Sequence, residues 1–108
     1  MGIEISPREL AKLLANDHPV ILVDVRQVWE NELTKIPNSL LIPLNEIPAR
    51  QGEIPRDPAR IIVVYCHHGV RSLSAVNYLH RLGMTNARSL AGGIDAWACE
   101  IDPTLARY

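Results

Sequence analysis

Seven consecutive residues, Cys66-His67-His68-Gly69-Val70-Arg71-Ser72, place a thiol, two imidazoles, a guanidinium and a hydroxyl directly behind the apolar run Ile61-Ile62-Val63-Val64-Tyr65. A buried strand that delivers a cysteine into a short loop, with a helix opening beyond it, is an arrangement that favours a thiolate. A free thiol ionises near pH ~8.5, and a helix N-terminus or a neighbouring cation lowers that value. The loop is too short for regular structure, so its amides can converge above the sulfur and join the first amides of the next helix. Gly69 lets the backbone turn without filling the bowl. Arg71 adds a fixed charge and a planar donor fork, and Ser72 is placed either to hydrogen-bond the sulfur or to cap the helix.

A cysteine after a buried strand is often only a small core residue. Here His, His, Gly and Arg crowd the next five positions, a polar density that cores do not favour. His67 and His68 are expected to line the mouth of the pocket, as proton-transfer groups or simply as exposed loop residues. No metal is expected. Adjacent residues of a tight loop rarely point at one ion, and Cys66 and Cys99 form no paired C-x-x-C spacing.

The elements that must hold this loop can be read from the pattern. Ile3 and Ile5 suggest an opening strand, and Ser6-Pro7-Arg8-Glu9 is a capping box with proline at the first helical position. The helix it starts is expected to reach Asn16, bury Leu10, Leu13 and Leu14, and end at Asp17 and Pro19. Residues 20–23 are apolar on both faces, as a parallel strand between helices would be, with Asp24 at their C-terminal end. A short helix is predicted over 28–33, a strand over 40–42 stopped by Pro43, a helical turn or two over 44–50, and a proline-rich loop over 52–58. The central strand is 61–65. A helix over 72–82 carries Leu73, Val76, Leu79 and Leu82 at near-helical spacing, with Gly83 as its stop. A last strand over 87–90, a Gly92-Gly93 turn and a helix over 94–99 follow, and the polar tail 101–108 has Tyr108 packed locally.

Strands that alternate with helices, with at least two of the strands buried, call for an α/β fold: one central parallel sheet of about five strands with helices on both faces and right-handed crossovers. In such sheets a site lies beyond the C-terminal ends of the strands, where Asp24 and Cys66 both fall. The chain has 108 residues, enough for one modest core, and reads as one domain over 1–108.

A net charge of -1, from 11 basic and 12 acidic residues, gives no electrostatic case for nucleic acid or an anionic membrane. Aromatic content of 5% argues against a base-stacking platform. No apolar run is long enough to span a bilayer. Glu4, Arg8, Glu9 and Lys12 stand where a leader would be apolar, so a cytoplasmic protein is expected.

Four stretches together resemble the rhodanese family: Asp24-Val25-Arg26 followed by Trp29-Glu30; Ile36-Pro37-Asn38-Ser39 with Ile42-Pro43-Leu44; the six-residue loop Cys66 to Arg71; and Leu90-Ala91-Gly92-Gly93-Ile94-Asp95-Ala96-Trp97. Thr34-Lys35 and Asn38-Ser39 depart from the family pattern outside the loop. The resemblance implies a sulfurtransferase with no cofactor. Cys66 would take sulfur from thiosulfate or a persulfide, carry it as a persulfide held by the amides of His67 through Ser72, and pass it to a thiol or cyanide. Arg71 would attract the anionic donor. Asp24 either orients the loop, pairs with a buried arginine or caps the next turn; Arg26 is a salt-bridge scaffold first and a substrate contact second.

The stretch His67 to Ser72 and the ending Asp102 to Tyr108 look most like the rhodanese modules of adenylyltransferases that serve sulfur carriers. That likeness implies a sulfur-carrier protein or cysteine desulfurase as partner. A single small module with a shallow site is expected to be a monomer or a homodimer. Two rivals remain. A cysteine-dependent phosphatase or arsenate reductase would need five residues between cysteine and arginine, where this chain has four. A non-catalytic rhodanese-like interaction domain would usually lack the nucleophile.

Overall fold

The computed structural model describes residues 2–108. Strands β1 (Glu4–Ile5), β2 (Val20–Asp24), β3 (Ser39–Leu41), β4 (Ile61–Tyr65) and β5 (Ala87–Leu90) form one sheet in the order β1-β5-β4-β2-β3. Every neighbouring pair is parallel. Helices α1 (Pro7–Ala15), α2 (Val28–Leu33), α3 (Ile47–Arg50) and α4 (Val70–Arg81) lie in the crossovers, and α5 (Gly93–Glu100) follows the last strand. The expected α/β architecture, with its central strand at β4, is the one observed.

The alternation of side chains along β4 divides the core in two. Ile62, Val64 and Cys66 pack with Ile47 of α3 and with Ala75, Val76 and Leu79 of α4. Val63 and Tyr65 point the other way, toward Leu10 of α1 and toward Ile94 and Trp97 of α5. Cys66 thus continues the strand's period-two pattern into the α4 layer. Leu79 is fully buried, and truncating a side chain so placed costs about 2–5 kcal/mol.

Chain direction puts a site between β2 and β4. From β2 the chain passes through α2 outward to β3, and from β4 it passes through α4 to β5 on the other side. The connections part there, at the carboxyl ends of the two strands, where sheets of this kind hold their sites. The register sets Asp24 opposite Tyr65, so the segments that follow, Val25-Arg26 and Cys66-His67, emerge side by side.

Local chemistry explains most element ends. Ser6 Oγ accepts from Glu9 N at 3.1 Å and Glu9 Oε1 accepts from Ser6 N at 3.1 Å, the reciprocal cap the sequence predicts. Asp17, at φ 54, ends α1, and His18 N donates back to Leu13 O at 2.9 Å. Three expectations need correction. Leu14 is 37% exposed; it borders a shallow cleft with Val20, Leu22 and Trp97 instead of entering the sealed core. The strand expected over 40–42 is displaced by one residue to Ser39–Leu41, although Ile42 N still bonds Asp24 O at 2.9 Å.

The helix expected to start at Ser72 starts at Val70, because Gly69, at φ 105, turns the chain and its carbonyl accepts from Leu73 N at 3.2 Å. Glycine is only a modest cap by propensity, so Ser72 is the stronger signal in the sequence. No helix among the described residues is long and apolar enough to cross a membrane.

Candidate active site

The Cys66 sulfur lies at the focus of a backbone cradle. Gly69 N–H points at Sγ from 3.1 Å and Ser72 N–H from 3.4 Å, with Ser72 Oγ at 3.5 Å. Because α4 begins two residues early, Ser72 N is one of its free first-turn amides and is available to the sulfur. Ser72 Oγ also lies 3.2 Å from Gly69 O and 2.7 Å from Ser89 Oγ. The Ser72 hydrogen can therefore rotate toward sulfur once the thiol has lost its own proton. Ser89, fully buried on β5, carries no signal in the sequence that would connect it to the loop.

The loop is also held from outside. Ile94 N donates to Cys66 O at 2.8 Å and Asp95 N to His67 O at 3.1 Å. The first amides of α5 thus satisfy the carbonyls that the bend turns outward. Gly93 makes this approach possible: a Cβ there would lie 2.5 Å from Cys66 O, and its φ is +64. The Gly92-Gly93 pair in the terminal signature is a contact surface for the loop as well as a turn.

A second construction surrounds the cradle. Arg71 does not face the sulfur with a free fork; its Nη1 and Nη2 donate to Glu30 Oε1 and Oε2 at 2.7 and 2.8 Å. Glu30 also accepts from Gln27 N at 2.9 Å and from the Tyr108 hydroxyl at 2.6 Å. With Arg71 as the main cause, the Glu30 carboxyl is pulled down to about 2. Burial and the Glu30 carboxylate push the Tyr108 phenol up to about 12, so it stays protonated and donates.

Arg26 is fully buried. Its Nε and Nη2 reach the two Asp24 oxygens at 2.9 and 2.8 Å, its Nη2 reaches Thr34 O at 2.6 Å, and its Nη1 reaches the Tyr108 hydroxyl at 3.0 Å. Burial disfavours its charge, but Asp24 and Tyr108 outweigh that and raise its pKa above the ordinary value. The structure therefore places Asp24 and Arg26 as a buried pair beneath the loop, where losing either partner would strand a charge.

The tail reverses an expectation. Tyr108 does not pack locally: its ring stacks on His67 at 3.9 Å and 8°, and Trp29 meets it edge-on at 5.8 Å. His67 in turn stacks on His68 at 3.8 Å. Arg107 anchors the tail to Asp95 at 3.0 Å. Burial and the neighbouring His68 lower the His67 pKa, and its Nε2 has no hydrogen-bond partner. His68 is mostly exposed, 3.9 Å from Asp95. Val70 is 77% exposed at the rim.

His67, His68 and Asp95 bring ligand-type atoms within 4.8 Å of one another. Asp95 is already forked by Arg107. A cleft of about 410 Å³ elsewhere is lined by Glu4, Glu9, Lys12 and Arg88 and shares no residue with the loop.

Residues 6–100 match the rhodanese-like domain family, and the chain belongs to it. A protein from Allochromatium vinosum described as a sulfurtransferase is 42% identical over 95% of this chain and 94% of its own. A probable adenylyltransferase/sulfurtransferase, MoeZ, from Mycobacterium tuberculosis is 37% identical over 99% of this chain, which spans 27% of that longer protein. Among solved structures, a rhodanese-related protein from Thermoplasma volcanium superimposes with a TM-score of 0.84 at 30% identity, covering 97% of this chain and 98% of the other. The family match ends at residue 100, so Tyr108 lies outside it, while the residues it touches, Arg26, Trp29, Glu30 and His67, lie within.

Proposed function

We propose that the protein is a sulfurtransferase that carries sulfane sulfur as a persulfide on Cys66. The observation that carries this reading is the convergence of the Gly69 and Ser72 amides on Sγ. The Cys66 thiolate attacks the outer sulfur of a donor such as thiosulfate. A sulfur–sulfur bond forms to Sγ, the donor's sulfur–sulfur bond breaks, and its electron pair leaves on sulfite. The terminal sulfur of the persulfide then carries the negative charge, which the loop amides and the Ser72 hydroxyl are placed to meet. A thiolate or cyanide attacks that terminal sulfur and regenerates Cys66.

The physiological donor and acceptor are read as proteins, with a cysteine desulfurase giving sulfur and a sulfur carrier receiving it. Likeness to the module of the adenylyltransferase/sulfurtransferase supports this, as do Trp29 and Val70, apolar and exposed at the rim.

The test is intact mass after mixing with thiosulfate. The wild type and Cys99→Ser are expected to gain about 32 Da that cyanide removes, whereas Cys66→Ser gains nothing. No gain in the wild type from thiosulfate or from a protein persulfide would sink the reading.

A further inference from the structure

Three guanidiniums gather around the cysteine loop, and each is forked onto a carboxylate. Arg71 holds both Glu30 oxygens at 2.7 and 2.8 Å. Arg26 holds both Asp24 oxygens at 2.9 and 2.8 Å. Arg107 holds Asp95 at 3.0 and 3.3 Å. The formal charges of the six groups cancel.

Glu30 is the pivot of this balance. It is buried, and it accepts two bonds from Arg71, one from Gln27 N and one from the Tyr108 hydroxyl. That hydroxyl is itself held by Arg26. For Arg71 to swing toward an incoming anion, a bidentate pair would have to break and leave a buried carboxylate uncompensated, which is costly. A dianion such as thiosulfate needs unpaired positive charge near the sulfur. A donor with a single negative charge needs only the loop amides, and an apolar body on it can lie against the row of rings formed by His67, Tyr108 and Trp29.

We propose that Glu30, held in place by Tyr108, sets the donor preference of the site: by neutralising Arg71 it disfavours dianionic donors and leaves Cys66 to take sulfur from monoanionic thiosulfonates or organic persulfides. This rests on the sulfur-transfer reading and adds a selectivity to it. In both donor classes the same bond forms at Sγ. The broken sulfur–sulfur bond leaves its electron pair on a sulfinate with a thiosulfonate, and on a thiolate with an organic persulfide, instead of on sulfite.

The experiment compares kcat/KM for thiosulfate and for benzenethiosulfonate, each divided by its rate with a free thiol so that intrinsic reactivity cancels. In the wild type, thiosulfate kcat/KM is expected to change less than about twofold between about 20 and about 500 mM salt, because no uncompensated charge is there to be screened. Glu30→Gln unmasks Arg71. It is expected to raise thiosulfate kcat/KM about fivefold or more through KM, to bring in a steep salt dependence, and to leave benzenethiosulfonate within about twofold.

A steep fall of the wild-type thiosulfate rate with salt overturns the proposal, and so does Glu30→Gln changing both donors alike. Should Glu30→Gln lose its fold, the wild-type salt profile decides alone. If neither donor puts sulfur on Cys66, sulfur transfer itself fails. If both donors do and thiosulfate is salt-sensitive, only the charge selection fails.

Discussion

The cradle around the Cys66 sulfur and the charged network beside it are built from different materials. The cradle is backbone: two amides aimed inward at sulfur, and two amides of α5 bonding the loop's carbonyls from outside. The network is side chain: Asp24, Arg26, Glu30, Arg71 and Tyr108, joined by forked ion pairs and a shared phenol. Backbone donors cannot be titrated or turned away once the fold is set, so the cradle's shape should be nearly independent of pH. The network depends on charge, so it should respond to acid and to single side-chain changes.

The largest separation of the two should come from Gly93→Ala. A methyl group there meets the Cys66 carbonyl and forces a non-glycine residue to φ +64. We expect a loss of about 2–4 kcal/mol in urea unfolding, with persulfide formation slowed in whatever protein remains folded. An unchanged urea midpoint would mean that the close approach of α5 to the loop does not shape the cradle.

Acid should break the network first. The folded-state pKa of Glu30, at about 2, lies below its ordinary value of 4.5. Its contribution is therefore fully present above about pH 4.5 and is lost as pH falls toward 2. The wild type should lose on the order of 2–3 kcal/mol across that window that Glu30→Gln does not lose. Parallel pH–stability curves for the two proteins would contradict the pairing.

The smallest effect sharpens the comparison. Tyr108→Phe keeps the stack on His67 and removes only the hydroxyl shared by Arg26 and Glu30. A loss of about 1 kcal/mol is expected, with the mass gain at Cys66 retained. Loss of that gain would show that the tail's hydroxyl reaches the cradle as well as the network.

The two regions also differ in how far the sequence revealed them. Strand β4, the loop and the start of α5 lie in local patterns: an apolar run, a polar cluster, a glycine pair. Their periods and turn chemistry point to the fold and to Cys66 directly. The network closes across long separations, 41 residues from Glu30 to Arg71 and 78 from Glu30 to Tyr108. Glu30 sits in a recognisable signature, but nothing local says which guanidinium it will meet. From its neighbours alone Arg71 reads as an anion attractor, because its partner comes from another element. Ser89, 17 residues from Ser72, reads locally as one more residue of a short strand, and Tyr108 as a polar terminus. Propensity and periodicity describe neighbours along the chain; these contacts are set by packing.

The bonds from Ile94 N to Cys66 O and from Asp95 N to His67 O also order events during synthesis. The thiol leaves the ribosome well before the amides that complete its loop, and domains begin to assemble as they emerge. Until β5 pairs with β4 and α5 docks, a nascent chain carries the cysteine without the shape that surrounds it in the finished fold. The proposed nucleophile is thus matured by a segment made after it, which keeps its chemistry coupled to a chain that has been read through residue 95.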